Sequence, residues 1–415
     1  MGNVFTSDYT GFKVIDVRAI GADSTGDIDA QPCLQAAIDE ACLSDPAKTY
    51  SAHPSRIVFI PRGQYRLDKP LVVKKPAAYD TPTNGAATLT ILGEWPVLFA
   101  GPGFSGNALL DLAKGAVRVT LQRLFLHGNN VAPSGLRAEG FNQRSRIEQV
   151  AVRGASGDGF SIHTSYHLML QSCSASRCGR HGFFINRVQP GLLTSCASVD
   201  NFADGFHFRA GGGFATAVTL SEFVASRNLG YGVRFDADAD VKPNPAAVGG
   251  LGLRNGILAG NVLDAVRLQG TSCAVEGLSI VGDYALSKAG ELVRSYRQAG
   301  FLSATALSEA QAFGIAGSPW QDGALGKVYA GTSSVWTHLD EPPNTPCAIR
   351  IDSVGYAAAK GNLLQANRAH HSMDTTYARI EVDVGKAAYG GQQFIRANFL
   401  SREQTLPVWK DGISA

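Results

Sequence analysis

Five glycines, Gly135, Gly159, Gly182, Gly205 and Gly232, each introduce an apolar residue, a variable residue and a second apolar residue. Their spacings are 24, 23, 23 and 27 residues. A period of that length marks a solenoid, in which one small structural unit stacks on copies of itself. One place after the glycine stand Leu136, Phe160, Phe183, Phe206 and Val233; three places after stand Ala138, Ile162, Ile185, Phe208 and Phe235. Alternate residues of a strand face the same way, so both columns are expected inside. Nine places before the glycine, Leu126, Val150, Cys173, Cys196 and Phe223 form a third inward column on another strand of each rung. Four places before it stand Cys178, Asn201 and Asn228, and Asn261 continues the column. Asparagine tolerates left-handed turns and can hydrogen-bond along a stack, so this column reads as a turn ladder. The pattern predicts an all-β, right-handed parallel β-helix with rungs of about 23 residues.

The N-terminal stretch follows another pattern. Phe12 to Ile20 is β-rich and ends at Gly21, and Asp29 with Pro32 opens a helix whose Leu34, Ile38 and Ala41 keep helical spacing. Arg56 to Ile60 and Leu71 to Val73 read as strands around the turn Pro61-Arg62-Gly63. Such a helix can cover the open apolar end of a solenoid. The string VIDVRAIGADSTGDIDAQPCLQAAIDEA, followed by RIVFIPRGQYRLDKPLVV, resembles the opening of pectate-lyase-superfamily β-helix proteins. That group includes polygalacturonase-like enzymes and phage tailspike depolymerases. The residues that carry the resemblance are Gly21-Ala22, Gly26-Asp27, Asp29, Ala36-Ala37-Ile38, Pro61, Gly63 and Tyr65. It implies the fold, and the tailspike branch implies a homotrimer as one assembly state. It leaves the chemistry open, because the family holds lyases, hydrolases, epimerases and inactive binding proteins. The expected organisation is a cap and first rungs over 1–105, rungs over 106–281, an insertion over 282–345 where the repeat fades, and C-terminal rungs with a tail over 346–415.

Composition narrows the partners. Charged residues are 17% of the chain, and a net charge of +2 lacks the basic excess of a nucleic-acid binder. No apolar run of about 18 residues occurs, so no membrane span is expected. The first 20 residues lack a basic start and apolar core, which leaves open an intracellular protein or one whose leader is removed. Seven cysteines occur without paired CxxC spacing, and they read as buried thiols.

Chemistry is expected on the outward positions of the glycine-led strand. Two places after the glycine stand Arg137, Ser161, Phe184, His207 and Arg234; four places after stand Glu139, His163, Asn186, Arg209 and Asp236. Immediately before the glycine a further column, Ser134, Asp158, His181, Asp204 and Tyr231, is expected to flank the same groove. A solvated face would also be polar, but it would favour Thr, Ser, Lys and Glu over this concentration of His, Arg and Asp. The catalytic candidates are Asp204, Asp158, His207, His181 and Asp236. The substrate-binding candidates are Arg209, Arg234, His163, Asn186, Tyr231 and Arg137.

Rungs repeat at about 4.8 Å, so Asp158 and Asp204, two rungs apart, would hold carboxylates roughly 9 to 10 Å apart. That lies near the upper end of the separation in inverting glycosidases. Asp204-Gly205 also resembles the Asp-Gly element of polygalacturonases, although the tandem Asp-Asp, Gly-His-Gly and Arg-x-Lys motifs are absent in the expected order. Arg180-His181-Gly182 supplies a histidine there. An elimination reading uses Arg209 or Arg234 to offset a uronate carboxylate and His207 or Tyr231 as base. No cofactor is expected, with calcium on the alternating Asp236, Asp238 and Asp240 as the one candidate. Phe184, Tyr231 and Trp320 serve either as sugar-stacking platforms or as packing residues. His370-His371 lacks a third ligand and reads as a surface turn. The leading expectation is an enzyme that cleaves glycosidic bonds of a complex, acidic polysaccharide by acid/base hydrolysis. A polysaccharide lyase and a non-catalytic glycan-binding β-helix are the alternatives.

Overall fold

The computed structural model of the protein describes residues 12–42, 55–74, 89–113, 116, 118–140, 145–210, 217–237, 250–261, 265–282, 349–360, 363–366, 380–383, 392–396 and 399–400. The chain winds as a right-handed parallel β-helix whose rungs each contribute three short strands. One face stacks Phe12–Asp16, Ser55–Ile60, Leu89–Gly93 and the first half of Val119–His127, then continues through Leu168–Gln171, Gly191–Thr194 and Val218–Ser221. A second runs from Gln64–Leu67 and Val97–Ala100 to Ser174–Ser176, Ala197–Val199 and Val224–Ser226. The third stacks Leu71–Val73, Leu110–Leu112, Leu136–Glu139, Phe160–Ser165, Phe183–Val188, Phe206–Ala210 and Val233–Ala237. The expected insertion, 282–345, lies outside the described residues apart from Gly282. The strands on either side of it, Val266–Glu276 and Ile349–Lys360, pair as consecutive rungs.

All three predicted inward columns are buried, with Phe160, Phe183, Phe206 and Phe208 at 0% exposure. Parallel, in-register strands place like side chains one rung apart, which is also a favourable separation for offset aromatic rings. Phe160 and Phe183 stack at 4.5 Å, and Phe183 and Phe206 at 4.7 Å. Phe223 meets Phe206 edge-on at 5.8 Å from the neighbouring strand of the rung. Cys173 and Cys196 are free, buried thiols of the third column.

The asparagine column is a hydrogen-bonded ladder. Asn201 Oδ1 accepts the N–H of Cys178 at 3.0 Å, Asn228 Oδ1 that of Asn201 at 3.1 Å, and Asn261 Oδ1 that of Asn228 at 3.2 Å. The left-handed turn sits one residue earlier than expected, on Arg177, Asp200 and Arg227, with φ of 54°, 60° and 53°. The reason is directional: that bend turns the next side chain into the stack, where it reaches the rung above. The glycines that lead the third-face strands owe their place to crowding. A Cβ on Gly182 would lie 2.0 Å from Ser198 Oγ, and one on Gly205 would lie 2.6 Å from Gly232 O.

The helix Gln31–Cys42 covers the N-terminal end, with Leu34, Ala37, Ile38 and Ala41 buried. Asp29 Oδ1 accepts the N–H of Gln31 at 3.0 Å, a side-chain cap on the helix start. Gln35 closes the edge of the strand Leu71–Val73: its amide donates to Val72 O and accepts from Val72 N–H, each at 2.8 Å. The strand Gln64–Leu67, which follows Pro61-Arg62-Gly63, turns in only Tyr65 and Leu67, too short an alternation to read from the sequence.

Phe206→Ala removes the ring at the junction of the stacked and edge-on contacts. It is expected to lower unfolding stability by about 3–5 kcal/mol, read from denaturant titration of the full chain.

Candidate functional site

The third face brings most of the candidate residues together, but it is less open than the alternation of the sequence implies. Among the positions expected to face solvent, Ser161 and His207 are buried. Every member of the column before the glycine is buried as well: Ser134, Asp158, His181, Asp204 and Tyr231. This corrects the expectation that the column lines an open groove. At a corner of the rung each strand starts with an unpaired N–H, and the side chain of the preceding rung supplies the acceptor. Asp158 Oδ1 takes the N–H of His181 at 3.2 Å, His181 Nδ1 that of Asp204 at 3.2 Å, and Asp204 Oδ1 that of Tyr231 at 2.9 Å.

Around Asp204 this ladder meets the outward strand positions. His181 Nε2 lies 3.2 Å from His207 Nδ1, and His207 Nε2 lies 3.0 Å from Asp236 Oδ2. Arg234 grips Asp236 twice, through Nε at 2.9 Å to Oδ1 and Nη2 at 2.8 Å to Oδ2. The guanidinium groups of Arg234 and Arg267 lie 5.4 and 6.0 Å from the Tyr231 ring centre. Because the Asp204 N–H occupies His181 Nδ1, neutral His181 carries its proton on Nε2 and donates to His207, which donates in turn to Asp236. This chain of donors leaves one acceptor over. Asp204 Oδ2 is buried with no hydrogen-bond partner, 3.3 Å from His181 Nδ1 and 3.5 Å from His207 Nδ1.

Burial acts to raise the Asp204 carboxyl, but His181, Arg234 and His207 outweigh it and hold the group down at about 2. Burial likewise opposes ionisation of Asp236, and the His207 hydrogen bond and Arg234 overcome it and lower the carboxyl. His207 is lowered by burial and then by His181, so its neutral form is favoured. Arg234 is raised by Asp204 and Asp236 against the effect of its burial. Asp236 and Arg234 thus neutralise each other, and Asp204 is the cluster's other carboxylate.

Ligand atoms of His181, Asp204 and His207 all lie within 4.8 Å of one another, the only such three-residue group among the described residues. The donor set does not fit a metal as it stands. Both ring nitrogens of His181 are committed, to the Asp204 N–H and to His207, so an ion would have to break the ladder. Asp236, offered by sequence for calcium, is held by Arg234 and His207, and Asp238 and Asp240 lie outside the described residues. So do Trp320, His370 and His371.

The remaining candidates lie on earlier rungs. His163 Nε2 is 3.1 Å from Ser161 Oγ, and His163 Nδ1 is 3.4 Å from the Asn186 amide. Arg137 is shared between Asp111, at 3.3 Å, and Glu139. Phe184 links the two groups, with ring centres 5.4 Å from His163 and 5.2 Å from His207. Arg209 is exposed, in register between Asn186 and Asp236. Ser161 escapes a sequence search for site residues, since a serine on an outward strand position is the commonest kind of surface residue; the only signal is a histidine two places on.

Residues 14–190 match the family model described as rhamnogalacturonase A/epimerase, pectate lyase-like. Over those residues the chain is similar to pectate-lyase-like β-helix proteins. The solved surface protein and adhesin PfbA of Streptococcus pneumoniae is similar to it at a TM-score of 0.53 and 9% identity, over 96% of this chain and 100% of that one. The ORF18 protein of Geobacillus virus E2 matches at 0.49 and 14%, over 65% of this chain and 52% of its own, so the chain spans about half of that relative. The Dettilon tailspike protein matches at 0.48 and 10%, over 92% and 68%. No curated protein matches the sequence. The family match takes in Asp158, His163 and His181 and stops short of Asp204, so the pectate-lyase-like signature covers only the first part of the cluster.

A carboxyl lowered in the folded state contributes stability that is complete above its ordinary value of 3.8 and is lost as pH falls towards about 2. Acidifying from about pH 5 to about pH 2 should therefore destabilise the wild type more than Asp204→Asn. Denaturant midpoints measured across that range give the comparison.

Proposed function

We propose that the chain is an enzyme that cleaves glycosidic bonds of an acidic polysaccharide, with the Asp204 carboxylate as its base. The observation that carries this reading is Asp204 Oδ2, a buried acceptor with no donor at the centre of a histidine, carboxylate and arginine cluster. Leaving such an oxygen unpaired costs about 1–3 kcal/mol, so its retention calls for a use, and a proton taken from water or substrate supplies one. A carboxyl held near 2 is ionised at neutral pH, so it can accept a proton and cannot serve as the donor. In hydrolysis, Asp204 takes a proton from the attacking water. The second carboxyl is Asp158, in the same column two rungs away, and its task is to protonate the leaving oxygen.

Elimination is the second reading, for which Arg267 and the Asp236-paired Arg234, both beside Tyr231, bring guanidinium groups near the same base. The rhamnogalacturonase/epimerase family match supports a polysaccharide in either case. New reducing ends without an unsaturated product indicate hydrolysis; both together indicate elimination; neither product leaves a glycan-binding protein.

Asp204→Asn keeps the size and shape of the side chain. It is expected to lower turnover at least about a hundredfold while the thermal unfolding transition at neutral pH persists. Turnover at the wild-type rate would remove Asp204 from the chemistry. For substrate charge, exposed Arg209 is the more telling position, because truncating Arg234 strands Asp236. Arg209→Ala should weaken a uronic-acid oligomer about tenfold and leave its carboxyl-reduced analogue unchanged, as titration calorimetry would show.

A further inference from the structure

We propose that Ser161, His163 and Asn186 form a second reactive centre on the same face, one that hydrolyses acyl esters such as those of an O-acylated glycan. Ser161 and His163 are two residues apart on the strand Phe160–Ser165, so their side chains leave the same side of the sheet. The 3.1 Å between Ser161 Oγ and His163 Nε2 is hydrogen-bonding distance for a nucleophile and its base. Asn186, paired in register with His163 on the next rung, places its Nδ2 3.4 Å from the other ring nitrogen. With the amide turned so that its oxygen accepts from Nδ1–H, the Nε2 lone pair is directed at Ser161, the order that a serine, histidine and orienting residue require.

Surroundings support the same use. Burial lowers His163, which keeps the imidazole neutral and able to accept a proton near neutral pH. Ser161 is buried and in register with Arg137 on one side and Phe184 on the other. Phe184 offers an apolar wall for an acyl group. The cluster around Asp204 uses neither Ser161 nor His163.

The pair selects the bond. A serine activated by histidine attacks an acyl carbon, whereas an acetal carbon needs its leaving oxygen protonated first. Ser161 Oγ bonds to the acyl carbon as its proton passes to His163 Nε2; His163 then returns the proton to the departing alkoxide, which leaves as an alcohol. Water attacks the acyl-serine, giving up a proton to His163, and the carboxylic acid departs as Ser161 recovers its own. Only the choice of a glycan as carrier of the ester rests on the function proposed above.

The test uses the full chain with a fluorophosphonate probe and 4-nitrophenyl acetate, and separately an O-acetylated acidic polysaccharide. A covalent adduct should map to Ser161 by peptide mass, and Ser161→Ala should abolish it. His163→Ala should slow both labelling and ester hydrolysis by on the order of a hundredfold or more, with thermal unfolding monitored to confirm that each variant is folded. Asn186→Asp restores an acceptor for Nδ1–H and should retain more activity than Asn186→Leu. Absence of an adduct at Ser161, or ester hydrolysis unchanged in Ser161→Ala, overturns the proposal. Labelling of Ser161 in a chain that cleaves no polysaccharide upholds it and counts only against the reading of Asp204. Acetate released from the polysaccharide identifies the carrier; hydrolysis of the small ester alone refutes the glycan as carrier and keeps the centre.

Discussion

The rung-to-rung hydrogen bond between parallel strands sets the terms for everything else in this molecule. It fixes a repeat of about 4.8 Å, so each side chain has as its nearest neighbours the residues at the equivalent position one rung above and below. Such a neighbour must be compatible in shape and polarity, and the columns of this chain show how that is met. Inside, Phe160, Phe183 and Phe206 stack face to face. At one bend, Asn201, Asn228 and Asn261 pass hydrogen bonds upward. At another corner, Asp158, His181 and Asp204 form a ladder of the opposite sense with dissimilar side chains, each accepting the N–H of the following rung.

That last column explains how reactive groups come to be buried in a fold whose core is apolar. Strands that begin at a corner need acceptors for their first N–H groups, and a carboxylate or imidazole can meet that need with one atom. The second atom is then free for other work. His181 directs its second nitrogen to His207, and Asp204 turns its second oxygen towards both histidines. One side chain therefore holds the backbone with one polar atom and faces the cluster with the other.

Much of this was legible in the sequence, because periodicity is a direct imprint of stacking. The inward columns, the capping helix and the asparagine ladder follow from residue types at fixed offsets. Other features were not. Alternation along a strand says which way a side chain leaves the sheet, but not whether a neighbouring bend covers it. Asp204, His181 and His207 were accordingly expected to be accessible and are buried. The turn residues were misplaced by one, since Arg177, Asp200 and Arg227 carry no compositional sign of a left-handed backbone. Ser161 gained meaning only from its distance to His163.

The grip of Gln35 on Val72 has a further consequence. A parallel β-helix is in principle a template: the bare edge of its last rung can recruit any extended chain, and two such molecules could fuse end to end into a fibre. By saturating both the N–H and the C=O of Val72, a single glutamine on a helix removes these docking points. At this strand the edge is thereby a stop and not a seed, closed by two hydrogen bonds.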